Sequence, residues 1–136
     1  MQAAHLEKLN EGQRAAVVHG IGLTDGKIGG PLLIIAGAGS GKTNTLAHRV
    51  AQLIIAGADP RRILLMTFSR RAASEMAKRV ERICAKVLGD KAGILTDALA
   101  WSGTFHGIGA RILREYAIEL GLDPHLPSMT VRIPPT

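Results

Sequence analysis

The chain has 136 residues, of which 46% are hydrophobic, and a formal net charge of +6 at pH 7. This length suits one domain with a hydrophobic core, and the composition argues against intrinsic disorder. We expect no membrane partner, because no apolar run could cross a bilayer and no signal peptide precedes the polar start at Gln2. The single cysteine, Cys84, excludes an internal disulfide and suits a cytoplasmic protein, while the positive charge indicates a polyanionic partner.

Three elements are predicted in the first quarter of the chain. Residues 6–19 have the apolar spacing of a short amphipathic helix, and Asn10 with Gln13 matches a capping box. The five glycines in residues 20–30 indicate a surface loop. The apolar residues 31–36 then predict a first buried strand.

A glycine-rich turn joins that strand to an amphipathic helix. The three glycines within residues 37–41 allow backbone angles that side chains would forbid, so the N–H groups of the turn can form an anion-binding concavity. Lys42 then places an ammonium against the terminal phosphates, and the Thr43 hydroxyl is a ligand for Mg²⁺. A flexible linker, the alternative, would not lie between an apolar run and an apolar helix. The pattern predicts a P-loop for a nucleoside triphosphate, although Ala36 stands where the strict pattern begins with glycine.

The rest of the chain alternates strand and helix. Residues 63–68 predict a second strand, and Ser69 is a candidate N-cap for the following helix. A third short strand is predicted within residues 98–104, and the last helix is predicted to end at Gly121. This alternation predicts a parallel sheet with helices on both faces, in which binding residues collect at the carboxyl ends of the strands. The segments at those ends are the P-loop, residues 69–71 and residues 104–106.

Four segments, taken in order, resemble motifs of the UvrD/Rep/PcrA group of superfamily 1 DNA helicases. They are Leu9-Asn10-x-x-Gln13, Ala36 to Thr43, Thr67 to Met76, and Gly103-Thr104-Phe105-His106-Gly107. The resemblance implies an α/β, RecA-like P-loop NTPase fold of three layers with a partial parallel sheet, truncated. On this resemblance, residues 1–125 are part of the N-terminal ATP-binding motor domain (1A-like) of a DNA-repair helicase. The intact family uses ATP and Mg²⁺ to translocate on DNA and unwind it.

The resemblance also assigns nucleotide contacts. It implies that Gln13 reads the adenine edge with its amide donor and acceptor, whereas a capping box would use the same side chain for structure alone. Asn44 stands beside the nucleotide, where the family often has arginine. The residues assigned to the nucleotide are Gln13, Gly37, Ala38, Gly39, Ser40, Gly41, Lys42, Thr43 and Asn44, with Lys42 and Thr43 catalytic and Thr43 the magnesium ligand.

The third and fourth segments are implied to contact single-stranded DNA. A helix start that carries hydroxyls attracts a phosphate, and an aromatic side chain at a strand end can stack on a base. The alternatives are that Phe68 is a core residue, that Arg70 and Arg71 are merely solvated, and that His106 is structural. The residues assigned to DNA are Thr67, Phe68, Ser69, Arg70, Arg71, Thr104, Phe105 and His106.

Hydrolysis of ATP in this family needs carboxylates that the chain does not supply. A Walker B Asp-Glu pair and arginines from elsewhere act on the transferring phosphoryl group, and no adjacent Asp-Glu occurs in the sequence. Asp97, the nearest imitation, fits a turn or cap better. We therefore expect binding of ATP without turnover or unwinding by this chain alone. The alternatives are an isolated nucleotide- or DNA-binding remnant and, less favoured, a small P-loop kinase; an exposed sheet edge would also permit self-association.

Residues 126–136 are predicted to form an irregular tail. Relatives commonly continue at this point with Phe-Thr-Ile-His-Asp-Arg-Glu-Asp. Under one permitted choice of codons, a single added base before residue 126 re-reads the tail as that sequence. We therefore hypothesise that the tail is out of frame and the product a truncated helicase, the alternative being an unusual native end. The gene's nucleotide sequence decides, because the shifted frame must encode a Walker B Asp-Glu.

Overall fold

The computed structural model describes residues 4–22, 29–97 and 99–125, which form a mixed α/β fold. Part of the predicted loop, residues 23–28, and the predicted tail, residues 126–136, lie outside the described residues. No helix within the described ranges is long and apolar enough to cross a membrane. The elements are α1 (Glu11–Val18), α2 (Lys42–Ile55), β1 (Leu64–Thr67), α3 (Arg70–Leu88), α4 (Lys91–Asp97), β2 (Trp101–Thr104) and α5 (Phe105–Glu115), with 3-10 turns at Ala4–Leu6 and Pro60–Arg62.

The sheet formed by the described residues has two parallel strands. β1 and β2 pair in a register that aligns Leu64 with Trp101, and α3 and α4 connect them along the chain. The prediction of an α/β fold with a partial parallel sheet is confirmed, as are its second and third strands in shorter form. Leu65 is 4% exposed, whereas Leu64 and Met66 are 49% and 38% exposed. The prediction that both faces of this strand are covered is therefore wrong for the described part of the chain.

The predicted first strand, residues 31–36, is not a strand in the structure. The segment pairs with neither β1 nor β2, and Leu33 and Ile35 are 81% and 87% exposed. A strand needs a neighbour to exchange ladder hydrogen bonds with, and the described residues offer this segment none. Its apolar composition indicates a preference for a buried, paired position, but composition does not supply the partner.

The core lies where α2 and α3 pack together against β1. In α3, Met76, Val80 and Ile83 recur at helical spacing and are buried, whereas Val87 is 45% exposed. Cys84 is fully buried, and this burial raises the pKa of its thiol, so it is an unreactive core residue. The buried cluster comprises Ala47, Val50, Ala51, Ile54, Leu65, Met76, Val80, Ile83, Cys84, Ala92 and Leu99.

Side-chain caps begin the two helices that follow the strands. Ser69 Oγ accepts a hydrogen bond of 3.1 Å from the N–H of Ala72, as predicted. Thr104 Oγ1 likewise accepts one of 3.1 Å from the N–H of Gly107. Because each cap sets the point where the chain leaves a strand and enters a helix, the residues just after β1 and β2 have defined positions.

Two helix predictions differ from the structure. No separate helix was predicted between α3 and the third strand, yet α4 lies there, and Asp97 is its last residue. α5 ends at Glu115 and is followed by turns, so the predicted end at Gly121 is wrong. Beyond α5, Ile118 and Leu120 are 83% and 58% exposed, so the described residues do not bury this segment.

Candidate nucleotide site and strand-end surface

The glycine-rich turn passes through positions that a side chain would disturb. Gly39 and Gly41 have φ angles of +74° and +84°, in the left-handed region that L-residues rarely adopt. A Cβ at Gly41 would lie 2.8 Å from Gln13 Nε2, so space as well as backbone angle requires glycine there. α2 begins at the next residue, Lys42, and no side chain caps it. The first N–H groups of α2 are therefore available to an anion.

The side chain of Lys42 folds back over this turn. Its Nζ donates hydrogen bonds of 2.6 Å to the carbonyl of Ala36 and 3.2 Å to that of Gly37. The Gly37 carbonyl also accepts from both the backbone N–H and the hydroxyl of Ser40. The carbonyls of the turn are thus hydrogen-bonded by Lys42 and Ser40, and Lys42 is an exposed residue.

The next residues of α2 point to different places. Thr43 is exposed, and its hydroxyl makes no hydrogen bond with the described residues. Thr45 is buried and donates from Oγ1 to the Gly41 carbonyl at 3.0 Å, which ties the turn to the helix. Asn44 lines a separate cleft together with Arg79, so the structure does not bring it together with the other predicted nucleotide residues.

Gln13 serves the capping box and the turn at once. Its N–H donates to Asn10 Oδ1 at 2.8 Å and its Oε1 accepts from the Asn10 N–H at 3.1 Å, which confirms the capping box. Its Nε2 donates to the carbonyl of Ser40 at 3.3 Å. The amide therefore stands over the glycine turn, and reading a base edge would require it to exchange these partners.

A cleft of about 530 Å³ lies between α1 and the segment that precedes the turn. This volume is in the range of small-ligand sites. Residues 32–36 supply an apolar wall, Ala16 and His19 come from the other side, and Lys42 is part of the lining. The cleft therefore combines an apolar part suited to a ring with a cationic part suited to phosphates.

Arg49, which the sequence did not single out, fixes α1 to α2. Its Nη1 donates to the carbonyls of Ala16 at 2.9 Å, Val17 at 3.3 Å and His19 at 2.9 Å. These carbonyls lie at the C-terminal end of α1, where the partial negative charge of the helix dipole favours a cation. Because α1 carries Gln13 and α2 carries Lys42, this contact sets the two sides of the cleft relative to each other. The acceptors lie 30 or more residues earlier in the chain, so no local sequence pattern could have revealed this contact.

Two phenylalanines meet just beyond the carboxyl ends of the paired strands. The ring centroids of Phe68 and Phe105 are 5.2 Å apart, with 42° between the ring planes. Phe68 is 96% exposed, so the alternative that it is a core residue is wrong, and Phe105 is 46% exposed. Thr67, the last residue of β1, pairs with Thr104, the last of β2, which explains why the residues that follow them come together.

The polar residues predicted to bind DNA are neighbours of this aromatic pair in the chain. Ser69, Arg70 and His106 are exposed. Arg71 pairs with Glu75 at 3.0 Å, and both side chains are largely exposed, which is the arrangement of a solvated helix face. We define the strand-end surface as Thr67, Phe68, Ser69, Arg70, Arg71, Thr104, Phe105 and His106.

Comparison with known proteins decides the family. Residues 9–131 match the UvrD/REP helicase N-terminal domain. The chain belongs to this family. It is similar to ATP-dependent DNA helicase UvrD1 of Mycobacterium leprae, 45% identical over 117 residues, and to ATP-dependent DNA helicase PcrA of Staphylococcus aureus and of Staphylococcus epidermidis, each 44% identical over 95 residues. The UvrD1 alignment covers 85% of this chain and 13% of the relative, and each PcrA alignment covers 69% and 12%.

The match to the helicase domain includes every segment that carried the resemblance, since all four lie within residues 9–131. In the described part of this helicase domain, no group of three or more His, Cys, Asp or Glu side chains is arranged to hold a metal ion. Mg²⁺ commonly uses one or two protein ligands, together with substrate phosphates and water. The exposed Thr43 hydroxyl beside the glycine turn fits that limited requirement.

Proposed function

We propose that this helicase domain binds ATP with Mg²⁺ in the cleft between α1 and residues 32–36. The observation that carries the proposal is the Lys42 ammonium, held 2.6 Å from the Ala36 carbonyl beside the uncapped start of α2. A phosphate oxygen is a stronger partner for an ammonium than a neutral carbonyl. The triphosphate would therefore draw Lys42 from the turn, while N–H groups of residues 37–43 surround the same anion.

The other nucleotide contacts follow from this placement. Thr43 supplies the hydroxyl oxygen to Mg²⁺ that arrives with the phosphates. Gln13 reads the adenine edge after its amide exchanges Ser40 and Asn10 for the base. Lys42 and Thr43 are the residues of this chain that would act on the transferring phosphoryl group in a complete site. The proposed set is Gln13, Gly37, Ala38, Gly39, Ser40, Gly41, Lys42 and Thr43; Asn44, which lines the other cleft, is not part of it.

The strand-end surface is proposed to bind single-stranded DNA. Phe68 and Phe105 together present an exposed aromatic platform, and stacking of a base on such rings does not depend on its identity. Ser69 and Arg70 are exposed and directly follow Phe68 in the chain, so we propose that the Ser69 hydroxyl and the Arg70 cation contact the backbone phosphate of a stacked nucleotide.

Binding without turnover is the activity we propose for this chain by itself. The sequence has no adjacent Asp-Glu to hold Mg²⁺ and orient water. The relatives named as ATP-dependent DNA helicases are much longer, since the chain spans 13% or less of their length. Translocation and unwinding are therefore proposed for a protein that contains further helicase segments. The alternative, a nucleotide- or DNA-binding remnant, would bind the same ligands but would not work together with further helicase segments.

The test of ATP binding is a calorimetric titration of the whole chain with ATP, with and without Mg²⁺. Lys42→Ala is expected to weaken binding at least tenfold, because it removes a charge-assisted contact of about 1.5–3 kcal/mol. Lys91→Ala, which removes an exposed lysine elsewhere, is the matched control and is expected to bind as the unaltered chain does. Gln13→Ala is expected to reduce the preference for ATP over GTP. Unchanged affinity in Lys42→Ala would remove the proposal.

An ATPase assay with single-stranded DNA separates the remaining alternatives. Binding with no hydrolysis supports the proposal for this chain alone. DNA-stimulated hydrolysis would contradict the proposal that the chain cannot turn over ATP without an Asp-Glu pair. Phosphoryl transfer to a small acceptor would indicate a kinase instead.

A further inference from the structure

A second cleft lies away from the nucleotide site, between the Ala4–Leu6 turn, α2 and α3. Its volume is about 590 Å³. Four cationic side chains line it, and among the described residues no acidic side chain does. The cationic residues are Lys8, Arg79, Arg82 and Lys86. We call this the basic cleft.

The charges of the basic cleft are not neutralised within the described part of the chain. The ion pairs found there use Arg61, Arg71, Arg111 and His125, and none uses a cation of the cleft. Arg82 donates only to a backbone carbonyl of its own helix, that of Lys78, at 3.3 Å. A concave surface with charges of one sign concentrates the field and attracts an anion.

The cations are arranged in a row. Arg79, Arg82 and Lys86 are spaced three and four residues apart, so they lie along one face of α3. At 1.5 Å per residue, this row is about 10 Å long. Each strand of a duplex carries one charge about every 3.4 Å along the helix axis, so the row is long enough to contact more than one phosphate. Lys8 belongs to a separate segment of the cleft lining.

Two buried imidazoles also contribute to the lining. His5 and His48 are 6% and 9% exposed, and their rings stack with centroids 6.4 Å apart and 11° between planes. His48 Nδ1 donates to the Asn44 carbonyl at 2.8 Å, and His5 Nε2 bonds Gln52 Oε1 at 2.8 Å. His5 Nδ1 is buried with no hydrogen-bond partner among the described residues. Because Nε2 donates to Gln52 Oε1, Nδ1 is the acceptor nitrogen of the ring and offers no hydrogen to a phosphate oxygen, so the four cations carry the attraction for an anion.

We propose that the basic cleft binds the phosphodiester backbone of a nucleic acid, at a site separate from the strand-end surface. None of the described residues that line it is Phe, Tyr or Trp, so it is suited to phosphates and not to stacked bases. An acidic protein is disfavoured, because charged residues as a class are depleted in the cores of protein–protein interfaces, whereas protein–DNA interfaces are strongly positive. Binding is therefore independent of base sequence, and duplex and single strand both bind.

The test compares two double variants of the whole chain that remove equal charge. Arg79→Ala/Arg82→Ala alters the cleft, and Arg62→Ala/Arg114→Ala removes two exposed arginines outside it. Fluorescence anisotropy with a labelled oligodeoxythymidylate and a labelled duplex is measured over a range of salt concentrations. The cleft variant is expected to reduce the slope of log K against log salt by about 1.4 for the single strand, or 0.7 per lost contact. The control variant is expected to keep most of the slope and the affinity.

Further arms identify the ligand and exclude misfolding. Arg79→Lys/Arg82→Lys keeps both charges and is expected to restore most of the affinity, which a folding defect would not allow. Duplex binding does not depend on base stacking at Phe68, and the cleft variant is expected to bind ATP at Lys42 as the unaltered chain does. The basic-cleft proposal can therefore fail while the proposed function holds. Equal loss in the cleft and control variants overturns it. The proposal is also overturned if neither DNA binds the cleft but another anion does. Binding of pyrophosphate would then indicate a free phosphate compound, and binding of polyglutamate would indicate an acidic protein.

Discussion

Gly41 is the residue at which the two sides of the nucleotide site come closest. Its φ of +84° is left-handed, and an added Cβ would meet Gln13 Nε2 at 2.8 Å. The same Nε2 donates to the Ser40 carbonyl, so the amide of α1 rests on the turn. A side chain at Gly41 would thus disturb both the backbone of the turn and the group proposed to read adenine.

Gly41→Ala is expected to weaken ATP binding about tenfold or more. A left-handed backbone costs an alanine about 1–2 kcal/mol, and the clash with Gln13 adds to this cost. Calorimetry measures the affinity. Gly57→Ala is the matched control, because Gly57 has φ +96° but a Cβ added there would meet no described atom within 4 Å; it is expected to lower stability and leave ATP affinity unchanged. Equal affinity in Gly41→Ala and the unaltered chain would show that the turn does not hold the phosphates.

Among the elements, α1 depends on α2 for its position. α1 has only eight residues, too few for a stable isolated helix. Its start is held by the capping box of Asn10 and Gln13, and its end by the guanidinium of Arg49. The helix that carries Gln13 is thus placed by side-chain hydrogen bonds at both ends, of which only the first was visible as a sequence pattern.

Arg49→Met is expected to lower the free energy of unfolding by about 1.5–3 kcal/mol, the range for a hydrogen bond to a charged group. Methionine keeps an apolar stem of similar length but leaves the carbonyls of Ala16 and His19 without their donor. Urea denaturation measures the loss, and weaker ATP binding should accompany it. Arg62→Met, at an exposed position, is the control, with an expected change within about 0.5 kcal/mol. If both variants lose the same stability, Arg49 does not hold α1.

At the scale of the whole molecule, features set by short sequence patterns were predictable, whereas features set by contacts between distant parts of the chain were not. The caps at Asn10 and Ser69 and the two paired strands follow from short patterns, and the structure contains them. The exposure of Phe68 and the reach of Arg49 depend on parts of the chain far away in sequence, so no local pattern specifies them. Residues 31–36 were predicted as a strand because their composition favours burial, although pairing depends on a neighbouring strand.

That unpaired segment leads to a prediction of self-association. Leu33 and Ile35 are 81% and 87% exposed, so Leu33→Ser/Ile35→Ser should change stability by no more than about 0.5 kcal/mol. We expect two copies of the chain to associate through this exposed apolar segment at high protein concentration. The same variant is therefore expected to lower the molecular mass measured by light scattering. Leu65→Ala is the control for burial, since Leu65 is 4% exposed and its truncation should cost about 2–5 kcal/mol. A stability loss of that size in Leu33→Ser/Ile35→Ser, at a protein concentration where the chain is monomeric, would mean that the segment is buried within a single chain.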